Sequence, residues 1–281
     1  MLQYLTMTKR RVLTVVALVL IAIALWLIAV SPSHERLWVD EHEYIATANV
    51  TDTYTVNIEN VRNFKHTAGT SSAHWEDRAL DLRTLDSLDY IVVPFSGFGA
   101  AHTMLSFGFS DGSHIGVSIE ARRENDEEFS PLWGALRKYE LLYVIADEHD
   151  LLTQRAIGRG NDEIYLYPVN ASRDQIRHLL LDILARANAI NNEPEFYNTL
   201  TNSCTTNIME HVNAIAPGKV PYWDLRLYFP RYSDTLAQKL GFIPNSIPIN
   251  ELRNRYEISE SIKENSGSPH FSELIRNELG S

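Results

Sequence analysis

Ala101-His102-Thr103-Met104-Leu105-Ser106-Phe107-Gly108-Phe109, then Ser110-Asp111-Gly112-Ser113, then His114-Ile115-Gly116-Val117-Ser118-Ile119-Glu120-Ala121-Arg122, is the stretch on which the fold turns. Two runs of alternating character flank an Asp-Gly turn, the signature of an antiparallel hairpin. Strand side chains alternate between faces, so Leu105, Phe107 and Phe109 must share one side of the sheet with Ile115, Val117 and Ile119. Only a loop such as a three-residue one meets that requirement. The opposite face then collects His102, Met104 and Ser106 with His114, Ser118, Glu120 and Arg122. Depending on which three-residue loop forms, His102 stands across from Glu120, or across from Arg122 with Glu120 on the diagonal. Either arrangement leaves an imidazole within reach of a carboxylate, whereas a two-residue loop separates them.

Outward from the hairpin, Thr55-Val56-Asn57-Ile58 has strand character and leads into 59–64. The stretch 67–73 is a small-residue loop, and 74–85 is charged and reads as loop with a short helix. Asp89 to Phe95 is a strand ended near Pro94, with a turn at 96–99. Tyr139 to Ile145 and Glu163 to Val169 are further strands, and 133–136 is short helix or loop. Asp147-Glu148-His149-Asp150 has the residue types of a metal site, but no second His or Cys group stands at ligand spacing, so it reads as a solvated turn. No metal or cofactor is expected. The clearest helix is 172–190: Ser172 and Gln175 form a capping box, and Ile176, Leu179, Leu180, Ile183, Leu184 and Ala187 form its buried stripe. Residues 221–243 are aromatic and leucine-rich and read as the core of a C-terminal helix, with an aromatic surface dipping into a membrane interface as the alternative. From 246 to 281 the chain reads as a polar, loosely held tail.

The N-terminus carries Lys9-Arg10-Arg11 and then an uncharged apolar run, Val12 to Val30. At 1.5 Å per residue such a run covers about 30 Å, the thickness of a bilayer's hydrocarbon core. The basic residues precede the run and Glu35, Asp40, Glu41 and Glu43 follow it, so the positive-inside rule puts residues 1–11 in the cytoplasm and everything after Ser31 outside. Ala29-Val30-Ser31 is a passable cleavage site, but the run is longer than a signal-peptide core, which favours an uncleaved anchor at 12–30. Residues 31–50 read as a juxtamembrane linker and 51–245 as the globular domain. A net charge of −11 without a basic block beyond the N-terminus argues against nucleic acid as a partner, and 44% hydrophobic residues suffice for a core.

Cys204 is the single cysteine, so no internal disulfide can form. Ile208, Met209, Val212 and Ile215 recur behind it at helical spacing, and Asn202 or Ser203 is the residue type that caps a helix start. Cys204 therefore belongs in the first turn of a helix, where free N–H groups and the helix dipole stabilise a thiolate. The alternative is a buried, inert thiol. For His102 the alternative is a strand histidine satisfied by a carbonyl, and for Glu120 a pairing with Arg122 or Arg123 on a wet face. His114 is a second candidate base, although it adjoins the turn.

A histidine strand, then a polar residue on the adjacent strand, then a cysteine at a helix start is papain-like order in circularly permuted form. The permuted branch of the NlpC/P60 superfamily, which includes the lecithin:retinol acyltransferase-like proteins, has this layout. At the level of whole motifs the chain resembles the periplasmic domain of Lnb-type lipoprotein N-acyltransferases. The residues that carry the resemblance are 57–64 (Asn-Ile-Glu-Asn-Val-Arg-Asn-Phe), 101–109, 118–124, Tyr139-Glu140-Leu141, Asp147-Glu148, Phe196-Tyr197-Asn198-Thr199-Leu200 and Asn202-Ser203-Cys204-Thr205-Thr206. The resemblance implies an α+β fold with an antiparallel sheet packed with helices; the one transmembrane helix read at 12–30 precedes it, where members of the family have several spans. It implies Cys204 as nucleophile, His102 as base and Glu120 as orienting residue, supported by Asn202, Thr205 and Ser118, with Asn202 or nearby backbone N–H groups as oxyanion donors. It further implies a bacterial inner-membrane protein, single-pass by the reading of 12–30, whose periplasmic domain takes an acyl chain from a membrane phospholipid and gives it to a lipoprotein or other amine. A cysteine amidase or peptidase on cell-wall peptides and a non-enzymatic anchored scaffold are the competing functions.

Overall fold

The computed structural model describes residues 2–95, 99–160, 162–277 and 279, with side chains from Arg10 onward; most of the turn expected at 96–99 lies outside these residues. The strands are Thr47–Val50 (β1), Thr55–Arg62 (β2), Lys65–Thr67 (β3), Thr70–Ser72 (β4), Trp75–Asp81 (β5), Leu85–Pro94 (β6), Ala101–Phe109 (β7), His114–Arg122 (β8), Glu140–Asp147 (β9) and Tyr165–Pro168 (β10). The helices are Leu2–Ala29 (α1), Pro131–Ala135 (α2), Glu148–Thr153 (α3), Arg173–Asn192 (α4), Cys204–Ile215 (α5), Ser233–Leu240 (α6), Ile249–Arg255 (α7), Ser259–Asn265 (α8) and Phe271–Leu274 (α9).

The central sheet runs β1-β2-β9-β8-β7-β6-β10, with β5 paired to β2. It is antiparallel except where Arg62 of β2 meets Ala146 of β9 in parallel, so the sheet is mixed rather than antiparallel throughout. β7 and β8 pair with Met104 opposite Ser118 and Gly108 opposite His114. This is the three-residue loop, and it puts Leu105, Phe107, Phe109, Ile115, Val117 and Ile119 together in one core cluster as the alternation demands.

Both sheet faces are covered. On the Leu105 face lie α4 and α5; α4 begins with the Ser172–Gln175 capping box and buries Ile176, Leu179, Leu180, Ile183, Leu184, Ala187 and Ile190. On the other face, Met104, Leu142 and Val144 pack with Leu151, Leu152, Ile258, Ile262, Phe271 and Ile275. That second cluster corrects the reading of 246–281 as a loose tail. α7, α8 and α9 are short and polar on their outer sides, which hides their few apolar anchors from any periodicity count.

Three other stretches differ from expectation. Within 74–85, Trp75–Asp81 forms strand β5 paired to β2 rather than loop and helix, and its charges are held in ion pairs and hydrogen bonds, Arg78 with Glu76 and Asp147, and Asp77 with Asn60 N–H. Residues 31–50 are not a free linker. Ser33 N–H donates to Glu140 Oε1 at 3.1 Å, Arg36 pairs with Glu140 at 2.8 Å, His42 is buried, and 47–50 adds β1 to the sheet. The stretch 147–150 is likewise no solvated turn. Asp147 caps α3, while Glu148 and Asp150 are buried and neutralised by arginines. Arg62 of the 57–64 motif holds Asp150 through two hydrogen bonds of 2.9 and 3.0 Å, joined by His66 at 2.8 Å. Arg276 spans Glu148 (2.9 Å) and Asp89 (2.7 Å) from across the second cluster.

Ahead of the domain, Arg10–Ala29 of α1 is long and apolar enough to cross a membrane. Its end is held to the segment after α2: Trp26 Nε1–H donates to Leu136 O at 3.2 Å and Arg137 to Leu27 O at 2.7 Å.

Candidate active site

Ser203, not Asn202, caps α5. Its hydroxyl accepts from Thr206 N–H while Ser203 N–H donates to Thr206 Oγ1 at 2.8 Å, a reciprocal box that fixes the first turn. Cys204 is thereby the first helical residue. The Cys204 and Thr205 N–H groups have no partner among the described residues, which leaves two donors free for an anionic oxygen.

The loop before the helix is braced from outside. Asn198 and Asn202 exchange backbone hydrogen bonds of 2.9 and 3.1 Å, Asn198 Nδ2 donates to Ala135 O, and Thr199 donates to Pro131 O. Asn202 directs its amide into this loop, donating from Nδ2 to Phe196 O at 2.9 Å and accepting at Oδ1 from Asn207 at 2.9 Å. Asn202 Nδ2 also lies 3.4 Å from Glu195 Oε2, so the amide expected as an oxyanion donor points its hydrogens at Phe196 and Glu195 in this structure. Thr205 lies against β7, its hydroxyl 3.2 Å from that of Thr103 and 3.8 Å from Cys204 Sγ.

On β7 and β8, His102 Nε2 lies 2.6 Å from Ser118 Oγ, which donates at 2.6 Å to Glu120 Oε1. Since Ser118's one proton goes to the carboxylate, its oxygen accepts from an Nε2–H. His102 Nε2 is also 3.2 Å from Glu120 Oε1 directly. Serine, imidazole and carboxylate thus fix the ring with Nδ1 as the nitrogen left over. Glu120 takes a further hydrogen bond of 2.7 Å from Arg155, not from Arg122 or Arg123. Arg122 turns instead to the carbonyls of His42 and Glu43.

Arg155 had no sequence signal. It is buried in the π-helical turn Gln154–Gly158 that extends α3, and its Nε has no hydrogen-bond partner among the described residues. Such one-turn widenings recur at functional sites. Only packing brings it to a carboxylate 35 residues earlier in the chain.

The electrostatics form a chain. Burial raises Glu120, but the facing charges of His102 and Arg155 more than offset this and hold it well below the usual carboxylate range. Burial lowers His102, Glu120 raises it, and the net direction is up. At Cys204 burial opposes the thiolate; the neighbouring His102 charge and the Thr103 hydroxyl and N–H overcome that and bring the thiol down to about 7. A thiolate–imidazolium pair at neutral pH is the resting form of a nucleophilic cysteine. Cys204 as a whole is only 3% exposed.

His114, the rival base, is not at this site. It pairs with Gly108 at the far end of β7, about 20 Å along the strand from His102. There its ring lies with Asp89 and Glu148, ligand atoms within 4.8 Å of one another. Arg276 already balances both carboxylates, so the group is accounted for as an ion-pair cluster.

No curated protein and no solved structure matches the chain. Residues 71–231 match the family of the Lnb N-terminal periplasmic domain. This span is more than half of the 281 residues and holds the strand histidine, the serine and carboxylate beside it, the π-turn arginine and the helix-start cysteine. The chain belongs to the Lnb N-terminal periplasmic domain family.

Proposed function

We propose that the protein is a membrane-anchored cysteine acyltransferase that carries an acyl chain from a phospholipid, through a thioester on Cys204, to an amine. By family resemblance that amine is the N-terminus of a lipoprotein. The observation that carries this reading is the Cys204 thiol, lowered to about 7 beside a His102 ring oriented by Ser118 and Glu120. In this reading Lys9, Arg10 and Arg11 stay on the cytoplasmic side of the inner membrane, the domain is periplasmic, and its helix-start cysteine and strand histidine form a circularly permuted papain-like centre.

The steps balance. The Cys204 thiolate attacks the ester carbonyl carbon, and the developing oxyanion meets the Cys204 and Thr205 N–H groups. The carbon–oxygen ester bond breaks as His102 Nδ1–H protonates the departing alcohol, releasing a lysophospholipid. An incoming amine then attacks the thioester, His102 takes its proton, and the carbon–sulfur bond breaks to give an amide and the thiolate. Arg155 offsets the Glu120 charge, so Glu120 stays ionised through the cycle.

The test is the intact mass of the full chain in detergent after exposure to diacyl phospholipid. The expected result is an acyl adduct that is removed by hydroxylamine and lost in Cys204→Ser. An unmodified chain that instead cleaves cell-wall peptides would replace this reading with the amidase one.

A further inference from the structure

A cleft with no charged lining side chain, open at its mouth and with a cavity volume of about 130 Å³, lies between the Leu105 face of the sheet, α4, α5 and α6. Its walls are apolar, among them Leu179, Ile208, Met209 and Leu236. Its few polar groups include Thr205, Tyr90 and Ser233. Thr205 adjoins Cys204 with its hydroxyl 3.8 Å from Sγ, and Tyr90 donates to Ser233 Oγ at 2.7 Å. Tyr90 is raised chiefly by burial and also by the Cys204 charge.

An apolar cleft that reaches Thr205, whose hydroxyl adjoins the thiol, matches an amphipathic ligand lying with its reactive head at the thiol. We propose that the cleft holds one hydrocarbon chain of the acyl donor, with the ester carbonyl at Cys204, and that it sets chain-length preference. The proposal rests on the acyl-transfer reading for the identity of the reactive head. The hydrocarbon occupant follows from the lining: a peptide or sugar would bury amides or hydroxyls against side chains that offer few partners. Each methylene that enters contributes about a fourfold gain in affinity at most.

Two measurements on the full chain in nanodiscs test this. The first compares Cys204 acylation by p-nitrophenyl butyrate, octanoate and palmitate, in wild type and in Ala237→Phe, which fills the cleft from α6. The palmitate-to-butyrate rate ratio should be large in wild type and fall at least tenfold in the variant. The second photolyses a fatty acid carrying a mid-chain diazirine in the Cys204→Ser protein and maps the crosslinks by mass spectrometry, so it does not depend on acylation or on the Ala237→Phe variant folding. Crosslinks should fall on cleft residues such as Met209 and Leu179. Acylation of Cys204 at rates independent of chain length, or crosslinks confined to α1 and the outer surface, would overturn the cleft assignment while leaving acyl transfer standing. Crosslinks within the cleft without any adduct on Cys204 would support the cleft and refute the transfer reaction.

Discussion

Replacing His102 with Gln removes the charge that lowers the Cys204 thiol and keeps a polar side chain of similar reach. The thiol then rises from about 7 toward its ordinary value of 9.0, because burial is opposed only by the Thr103 hydroxyl and N–H, and the full return is the limiting case. Two pKa units correspond to about 2.7 kcal/mol, and at pH 7 the thiolate fraction drops from about one half to about one hundredth, a ~50-fold loss. The more basic thiolate is the better nucleophile, and a Brønsted coefficient of about 0.45 returns a factor of ~8. Alkylation of the variant by iodoacetamide should therefore be ~6-fold slower than wild type at pH 7 and ~7-fold faster at pH 10, with the two pH–rate curves crossing between. The assay is time-resolved intact mass from pH 5 to 10.5, with denatured protein as the control for total thiol. Curves that share one inflection, at 7 or at 9, would refute the argument that His102 sets the thiol.

Glu120→Gln should move the thiol inflection upward by less than His102→Gln, since the Ser118 contact survives, and should slow Cys204 acylation by at least ~10-fold in the same mass assay. Arg276→Met strands Glu148 and Asp89 as buried charges and should cost about 3–5 kcal/mol in urea unfolding. In the wild type Glu148 is held at about 2, burial being outweighed by Arg276, against an ordinary 4.5. A depressed carboxylate contributes stability that is complete above its unfolded value and is lost as pH falls through its folded one, so stability should decline between pH 4.5 and 2, and Arg276→Met should flatten that decline. Ser203→Ala removes the cap of the cysteine helix and should cost about 1 kcal/mol, read by denaturant midpoint.

Local rules carried the reading wherever a pattern repeats. Alternation in 101–122 required an even pairing, and the register that results brings His102 to 3.2 Å from Glu120. The capping box at Ser172 and the stripe behind it are equally local, and every apolar position of that stripe is buried. Short elements with few anchors were not legible: β5 looks like a charged loop, and 246–281 looks like a tail until Ile258, Ile262, Phe271 and Ile275 close the second face of the sheet. The choice between Asn202 and Ser203 as cap is likewise made by the tertiary structure, because both side chains have the chemistry and only the turn geometry distinguishes them.

By itself the sequence determined a membrane-length apolar helix, a hairpin with an imidazole and a carboxylate on one face, and a lone thiol at a helix start. These follow from bonds between near neighbours and from side-chain periods of two and 3.6. Tertiary structure decided that Arg155 meets Glu120, that His114 is remote from the thiol, that Arg276 neutralises Glu148, and that an apolar cleft ends beside Cys204. Each of these joins residues from separate elements through packing, and no periodicity along the chain encodes the distance between them.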